Sequence, residues 1–386
     1  MAEPKETVHG GDIYRNPSVT DYSVNSNPLG VPEAVRKSVQ ESADRIMYYP
    51  DVRCDRLRES ISDFERIEKE KILCGNGAAE LFFAVVMAVR PKKALVTAPA
   101  FSEYERALGI VGAEVQYYRL KEEQDFRIQE DILEQITEDT DMIFLCNPNN
   151  PTGQTTEKEL LIRVMNRCNK CGTILVLDEC FIEFLEEPER YECRGYLTQY
   201  PNVVIIKAFT KIFCMPGVRL GYALCENAAL RKRMRAMLQP WNVSVTAQEA
   251  GVAALVDCEA YLKRTREYIK KEKFWMTERM RKLGLNVWGS EANYIFFKGK
   301  AGLYEKALKS GLLIRDCSNY EGLTEGHYRI AIRSEEENER LITWLEKLWY
   351  RGQCPTQERV FCVRDFAEYS NRTDTGWLRS NPRIWH

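Results

Sequence analysis

The sequence lacks several features that would place the chain in other functional classes. No apolar run approaches the roughly 20 residues that span a membrane, and the start, Met1-Ala-Glu-Pro-Lys5, has no signal-peptide pattern. The formal charge of −2 and the pI near 6.2 give no electrostatic footprint for nucleic acid. There is no internal repeat or low-complexity tract. We therefore expect a cytoplasmic protein that binds neither membrane nor nucleic acid.

The 13 cysteines form neither a metal-binding pattern nor a disulfide framework. They are scattered, and several lie inside apolar runs, which is typical of small buried side chains in a reducing compartment. Cys168 and Cys171 form a Cys-x-x-Cys pair, but no second pair stands at zinc spacing. Near the end of the chain, the 7-residue gap between Cys354 and Cys362 fits no common zinc pattern, although His386 could add a ligand. We predict no metal site.

Strand-like and helical runs alternate from about residue 55 to residue 225. This alternation predicts a mostly parallel sheet with helices on both faces. The strand-like runs are 71–74, 94–97, 115–119, 142–145, 174–177, 203–206 and 222–225, and the clearest helical runs are 79–89 and 156–169.

The length of 386 residues is too great for one ordinary core and predicts two domains. Long helical periodicity over 261–283 precedes short strands at 294–297 and 328–332, which predicts a smaller α+β domain. The expected parts are an N-terminal segment that joins the small domain and covers the site (1–45), a large domain (46–240), a small domain (241–350) and a tail of unassigned role (351–386).

Lys211 is the most informative residue of the chain. It follows the apolar strand 203–206, and Arg219 stands eight residues later between Gly217 and Gly221. A lysine alone is most often a solvated surface charge. In this setting its amine suits a Schiff base with a carbonyl ligand, while hydroxyl and guanidinium groups hold a phosphate nearby.

Two upstream segments strengthen this interpretation. Asn150 lies in Cys146-Asn-Pro-Asn-Asn-Pro-Thr-Gly153, a turn directly after an apolar strand. Asp178 ends the buried-strand pattern 174–178, at the edge where open α/β sheets bind ligands. A strand-end aspartate can instead cap a helix, but the Glu-Cys-Phe-Ile run that follows predicts extended chain.

In chain order, Asn150, Asp178, Lys211 and Arg219 resemble the signature of the fold-type I pyridoxal-phosphate enzymes, the aspartate-aminotransferase-like family. Each motif is weak alone, whereas all four in this order and spacing are specific. The resemblance implies an α/β fold whose large, doubly wound domain has a mostly parallel sheet, with pyridoxal 5′-phosphate (PLP) as cofactor. It also implies that Lys211 carries the cofactor, Asp178 pairs with its pyridine nitrogen, and Asn150 donates to its phenolic oxygen.

The segment Gly75-Asn-Gly-Ala-Ala-Glu80 follows a strand and opens a helix. Its small residues let backbone N–H groups reach a phosphate at the positive end of that helix. By resemblance, the cofactor's phosphate cup is formed by Gly77, Ala78, Ala79, Thr210 and Arg219. Many relatives have a serine three residues before the lysine, where this chain has Ala208, so one phosphate hydroxyl is missing.

Aromatic residues complete the implied cofactor site. Phe101 matches the aromatic that stacks on the ring, although an aromatic after a strand is as often a core residue. Phe181 stands where histidinol-phosphate aminotransferases usually have tyrosine. Tyr49 matches a tyrosine that dimers of the family lend to the partner's cofactor phosphate, which implies a homodimer with shared active sites.

Further segments narrow the resemblance to the threonine-phosphate decarboxylases of cobalamin biosynthesis, over about residues 9–349. They are His9-Gly-Gly11, Asn25-Ser-Asn-Pro-Leu-Gly30, the run 314–323 and Tyr328-Arg-Ile-Ala-Ile-Arg333. The histidinol-phosphate aminotransferases are close cousins that lack the His-Gly-Gly start.

This resemblance implies a set of substrate-binding residues. Arg329 would grip the substrate carboxylate with its planar guanidinium. The other implied substrate residues are His9, Gly10, Asn25, Asn150 and Arg315. From the sequence alone, however, a residue as close to the terminus as His9 favours no fixed position.

The implied activity is decarboxylation of L-threonine O-3-phosphate, or of L-serine O-phosphate, to an amino-alcohol phosphate and CO2. The substrate amine would displace Lys211, and Asp178 would keep the ring protonated while the bond between Cα and the carboxylate breaks. One alternative is an aminotransferase for histidinol phosphate or an aromatic amino acid. Another is a cofactor-binding sensor without catalysis, which the intact Lys211 and Asp178 disfavour.

Overall fold

The computed structural model describes residues 9–350. Its strands are Thr20–Asp21 (β1), Ile72–Gly75 (β2), Lys93–Ala98 (β3), Glu114–Arg119 (β4), Met142–Cys146 (β5), Ile174–Asp178 (β6), Val203–Ala208 (β7), Gly221–Cys225 (β8), Asn286–Val287 (β9), Tyr294–Lys298 (β10), Leu312–Leu313 (β11), Arg315–Asp316 (β12) and His327–Ala331 (β13). The predictions for Cys354, Cys362, His386 and the tail fall outside the described residues.

The helices alternate with these strands through the first half of the chain. They are Glu33–Glu41 (α1), Asp55–Glu65 (α2), Ala78–Val89 (α3), Glu103–Ile110 (α4), Ile132–Gln135 (α5), Lys158–Cys171 (α6), Phe209–Ile212 (α7), Ala228–Met237 (α8), Val245–Leu255 (α9), Glu259–Lys282 (α10), Leu303–Lys309 (α11) and Glu335–Tyr350 (α12). None of the helices within 9–350 combines the length and the apolar character that crossing a membrane requires.

The large sheet has the strand order β2-β8-β7-β6-β5-β3-β4. Strands β7, β6, β5, β3 and β4 run parallel to one another, and β8 lies antiparallel between β7 and β2. The predicted mostly parallel sheet is confirmed. Parallel strands are buried on both faces, which explains why they were visible in the sequence as continuous apolar runs.

Helices cover both faces of this sheet, and alternate residues of each strand supply the two apolar layers. On one face, Ile143 and Leu145 of β5 pack in a core with residues of α2, α6 and α9. On the other face, Met142 and Phe144 pack with residues of α3, α4 and α8. The sheet is therefore the middle of three layers.

The second half of the chain forms a smaller antiparallel sheet with the order β12-β13-β10-β9. Residues of α10, α11 and α12 pack with this sheet in a separate apolar cluster. The N-terminal strand β1 pairs in parallel with β11, so the start of the described chain is attached to this smaller layer.

The carboxyl ends of β3, β5, β6 and β7 meet at one edge of the large sheet. The segment after β6 differs from the sequence prediction of extended chain. It turns at once and forms a short 3-10 helix at Ile182–Phe184. The cause is the Asp178 side chain, whose Oδ1 accepts a hydrogen bond from the backbone N–H of Cys180 at 2.9 Å and so fixes the turn.

Candidate active site

A cavity of about 370 Å³ opens at this edge, between the large sheet, the small sheet and the N-terminal segment. Its volume lies in the range of small-molecule sites. Most of the residues singled out in the sequence line it: His9, Gly10, Asn25, Ala78, Ala79, Phe101, Asn150, Asp178, Phe181, Thr210, Lys211, Arg219, Arg315 and Arg329. Residues from widely separated parts of the chain thus meet in one site.

Lys211 lies in α7, the single helical turn that follows β7. Its backbone carbonyl accepts a hydrogen bond from the N–H of Asn27 at 3.0 Å, which ties this turn to the N-terminal segment. Desolvation of the Lys211 amine inside the protein is the main cause that lowers its pKa to about 8, and the positive charges of Arg329 and Arg219 act in the same direction. A large fraction of this amine is therefore neutral, and nucleophilic, near pH 8.

Asp178 lies at the end of β6 and is buried. Burial raises the pKa of its carboxyl, whereas hydrogen bonds from Cys180 and Tyr104 oppose that rise. The Tyr104 hydroxyl donates to Oδ2, and the backbone N–H of Cys180 donates to Oδ1. Among residues 9–350, no basic side chain forms an ion pair with Asp178. The carboxylate is thus held in place by hydrogen bonds rather than by an ion pair within the described residues, although its charge acts on the Lys211 amine.

The start of α3 forms a tight cradle with Arg219. Gly77, at φ +83°, immediately precedes the helix, and a Cβ there would lie 2.6 Å from the Nη2 atom of Arg219. A Cβ at Gly221 would lie 2.6 Å from the backbone nitrogen of Ala78. Both glycines are needed for the guanidinium and β8 to approach the N-terminus of α3. The result is a cluster of N–H donors suited to an anion.

Arg329 projects from the small sheet into the cavity. Its Nη1 donates to the Oδ1 atom of Asn150, and its Nη2 donates to the backbone carbonyl of Ser23 at 2.7 Å. The guanidinium carbon lies 5.4 Å from the centre of the Tyr294 ring. Because Asn150 accepts with its oxygen, its NH2 group remains available to donate to a ligand.

Arg315 also lines the cavity and is held by neighbours on its own segment. Its Nη1 donates to the carbonyl of Asp316 at 2.6 Å, and its Nη2 donates to Asn319 at 2.8 Å, with the guanidinium 5.1 Å from the Tyr320 ring centre. Asn25 lines the same cavity, and its Oδ1 atom is buried without a hydrogen-bond partner among residues 9–350. An unpartnered buried acceptor in a cavity wall suits a ligand that brings a hydrogen-bond donor.

His9 has a defined place in the cavity wall, which differs from the expectation for a residue so near the terminus. Its Nε2 lies 3.1 Å from the Oε1 atom of Glu103. The following glycines pack on Ser23: the N–H of Gly11 donates to its Oγ at 2.8 Å, and a Cβ at Gly10 would lie 2.6 Å from its carbonyl oxygen. A side chain at residue 10 would therefore clash with Ser23, so glycine is needed for this segment to pack against Ser23 in the cavity wall.

Tyr49 lies outside the cavity of its own chain. Its side chain is 78% exposed and stacks on Trp241 with 4.4 Å between ring centres. A tyrosine lent to a partner subunit would be exposed in a single chain. The role of Tyr49 in a dimer stays a prediction.

Sequence reasoning missed three residues that hold the others in place. They are Tyr104, which donates to Asp178, Glu103, which pairs with His9, and Ser23, which contacts both Gly11 and Arg329. A signal existed for the first two, because Phe101-Ser-Glu-Tyr104 places polar groups directly after a strand. Without the fold, nothing distinguished them from ordinary residues of a helix start.

Comparisons with known proteins agree with this geometry. The family model "Aminotransferase class I and II" matches residues 17–345. The threonine-phosphate decarboxylase of Salmonella typhimurium is 34% identical over 354 residues, which are 89% of this chain and 96% of that protein. These matches make the family assignment independent of any one motif.

Solved structures share the fold. The histidinol-phosphate aminotransferase of Clostridium acetobutylicum superposes with a TM-score of 0.80 and 31% identity, covering 86% of this chain and 99% of that one. The L-threonine-O-3-phosphate decarboxylase of Porphyromonas gingivalis superposes with a TM-score of 0.75 and 26% identity, covering 85% and 99%. The predicted aspartate-aminotransferase-like fold is confirmed. The chain belongs to the class I and II aminotransferase family.

Proposed function

We propose that the chain binds PLP and decarboxylates L-threonine O-3-phosphate to an amino-alcohol phosphate and CO2, a reaction of cobalamin biosynthesis. One observation carries the proposal: Arg329 and Arg315 line the same cavity as Lys211 and Asp178. Two fixed cations suit a substrate that bears both a carboxylate and a phosphate. The 34% identity to a threonine-phosphate decarboxylase over nearly its whole length supports the same substrate.

The residues present fit PLP. Its phosphate matches the cradle at the start of α3, where Thr210 and Arg219 also line the cavity. Its ring nitrogen, when protonated, would supply an ion-pair partner for buried Asp178, which has none among residues 9–350. Its phenolic oxygen would accept from the NH2 group of Asn150, and Phe101 and Phe181 offer apolar contacts for the ring.

When bound, PLP supplies a carbonyl that condenses with amines and a protonated ring that takes up electrons from a broken bond at Cα. Asp178 would keep the ring nitrogen protonated, because an ionised carboxylate beside it favours the positive charge. Lys211 holds a proton that it can release near neutral pH, since its pKa is about 8. Its Nζ is therefore suited to reprotonate Cα after CO2 has left.

The substrate would be oriented by the arginines. Arg329 would offer a carboxylate its Nε, which is buried without a partner among residues 9–350, while Asn150 and Ser23 fix its other nitrogens. Arg315, Asn25 and His9 would receive the phosphate. Fixing both ends of the substrate would orient its Cα bonds, so these residues would select the bond whose electrons the ring takes up.

We further propose a homodimer with shared active sites. Exposed apolar side chains follow one another at residues 46–49 and continue to Val52, with exposed fractions of 55 to 78%. Trp241 lies beside them in contact with Tyr49. A contiguous exposed patch of this kind is typical of a protein–protein interface, and it contains the tyrosine expected to reach the partner's cofactor.

A cytoplasmic location is part of the same proposal. The cysteines within residues 9–350 are all free thiols. Free thiols in such number are typical of a reducing compartment.

A product assay tests the activity. Purified protein with PLP is mixed with L-threonine O-3-phosphate or L-serine O-phosphate, and CO2 is measured. Histidinol phosphate with 2-oxoglutarate is tested in parallel. We expect CO2 from the phosphorylated amino acids and none from Lys211→Ala. Glutamate formation without CO2 would contradict the proposal and make the chain an aminotransferase.

A further inference from the structure

Glu103 is a second carboxylate, besides Asp178, in a cavity that Lys211 and three arginines also line. It is the first residue of α4, its side chain is 8% exposed, and it lines the same cavity as Lys211 and the arginines. Its Oε1 lies 3.1 Å from the Nε2 atom of His9, and its Oε2 lies 3.4 Å from the Nη1 atom of Arg106. His9 contributes most to holding the pKa of Glu103 below its usual range, against the effect of burial.

The segment that carries His9 is tied to the substrate-binding residues. Gly11 donates to the side chain of Ser23, and the carbonyl of Ser23 accepts from Arg329. Glu103 therefore fixes one end of a continuous set of contacts that runs from His9 to Arg329. The imidazole ring centre also lies 6.3 Å from that of Phe101, the aromatic expected to face the cofactor.

We propose that Glu103 is a positioning residue that holds the His9 imidazole in the cavity wall, so that its second ring nitrogen meets the phosphate of the substrate. The proposal rests on the proposed function only in taking the ligand to be a phosphorylated amino acid. Other charged groups also face His9. In an adjoining cavity of about 290 Å³, the wall that includes His9 also contains Asp12, Glu305, Arg315 and Asp316.

The direction in which phosphate affinity changes when the charge of Glu103 is removed distinguishes a positioning role from that of an ordinary residue of the cavity wall. An unpaired carboxylate near a phosphate repels it, so removing its charge would strengthen phosphate binding. If Glu103 instead holds His9, removing its charge loosens the imidazole, because a neutral amide oxygen is a weaker acceptor, and so weakens phosphate binding. The two roles predict opposite changes for the same substitution, Glu103→Gln.

The experiment uses the enzyme loaded with PLP, so that the cofactor's own phosphate site is filled. Calorimetry gives the Kd of inorganic phosphate, and steady-state kinetics gives kcat and KM for L-threonine O-3-phosphate. We expect Glu103→Gln to raise both Kd and KM about fivefold, the size of one partly buried ion pair, with kcat within about twofold. The matched control is Glu105→Gln, an exposed glutamate two residues further along α4, which should change neither.

A double-mutant cycle tests whether Glu103 acts through His9. In the His9→Gln background, Glu103→Gln should add little, because the residue that it positions is already gone. Glu103→Asp keeps the charge but withdraws it by one methylene, and a smaller loss is expected. Glu103→Asp also provides the test of the proposal if Glu103→Gln does not fold.

Either of two results would overturn the proposal: unchanged or tighter phosphate binding in Glu103→Gln, or an equal loss with and without His9. Failure of the proposed function looks different. In that case the wild-type enzyme would release no CO2, while the double-mutant cycle of Glu103 and His9, measured with inorganic phosphate, would still show that the two residues act together.

Discussion

Two lysines that lie four residues apart differ in every property that matters for reactivity. Lys207 belongs to β7 and is 2% exposed, and its Nζ lies 2.8 Å from Glu65 and 3.0 Å from Glu183. Burial would lower its pKa, but these carboxylates raise it well above the usual range. Lys211 lies one turn beyond the strand and forms no salt bridge with a carboxylate of residues 9–350, and desolvation, followed by the charges of Arg329 and Arg219, lowers its pKa to about 8.

The difference shows that enclosure by protein does not by itself make a reactive lysine. A buried amine with carboxylate partners becomes a permanent cation that joins structural elements. An amine enclosed among other cations becomes a base that is neutral part of the time. The first lysine connects β7 to α2 through Glu65, and the second faces the cavity.

The largest expected effect is the loss of decarboxylation activity when Lys211 is replaced. Lys211→Met should lower decarboxylation by about 10³-fold or more, because no other group in the cavity can both bind the cofactor and move the proton. Its unfolding free energy should fall little or rise, since an unfavourable charge is removed. Decarboxylation rates and urea unfolding of the same samples check this, and a Lys211→Met enzyme with more than a tenth of wild-type activity would contradict it.

The next expected effect is on stability. Lys207→Met removes one of the two cations that pair with buried Glu65, which keeps Arg194 and the Tyr222 hydroxyl, and the unfolding free energy should fall by about 2–3 kcal/mol. The double variant Lys207→Met/Glu65→Gln should recover part of that loss. Lys270→Met is the control, because its pair with Glu186 is exposed and should be worth less than about 1 kcal/mol. Equal decreases in the unfolding free energy for Lys207→Met and Lys270→Met, measured by urea unfolding, would contradict a larger contribution from the buried ion pairs of Lys207.

The third prediction concerns pH. Only the neutral amine of Lys211 can capture PLP, so the capture rate by cofactor-free protein should rise about tenfold per pH unit below pH 8 and level off above it. The pKa of about 8 sets that midpoint. Stopped-flow absorbance of the bound cofactor measures the rate. A rate that keeps rising toward pH 10 would mean that Lys211 titrates like an ordinary lysine.

The smallest prediction concerns the group that positions Asp178. Tyr104→Phe removes one hydrogen bond to its carboxylate and should weaken PLP binding about tenfold, in line with one bond to a charged group. Equilibrium dialysis gives the affinity. Tyr118→Phe is the matched control, because that tyrosine also donates to a carboxylate, Asp131, which lies outside the cavity. Equal losses in the two variants would contradict a local role for Tyr104.

The two lysines also show which features of the fold could be predicted from the sequence and which could not. Strands such as β5 were predicted because burial on both faces makes them apolar throughout. The run ending at Ile206 was predicted too short, since Lys207 continues the strand as a charged residue. Its partner Glu65 is 142 positions away in sequence, and no local pattern joins them.

The site was predicted where chemistry and spacing coincide, as at Lys211, Asp178 and Asn150. Supporting residues were missed where the contact is long-range. Glu103 and Tyr104 begin α4 and look like ordinary helix residues until the fold brings them to His9 and Asp178. The extended chain predicted after Asp178 was wrong, because the aspartate side chain turns the backbone toward a 3-10 helix.

The most direct test asks which lysine carries the cofactor. The protein is loaded with PLP, reduced with borohydride, digested with trypsin and mapped by mass spectrometry. The account predicts phosphopyridoxyl-lysine at position 211, which blocks cleavage there and gives a single modified peptide spanning residues 208–219. Modification at Lys207, or spread over surface lysines with residue 211 unmodified, would contradict the claim that its surroundings make Lys211 the reactive amine.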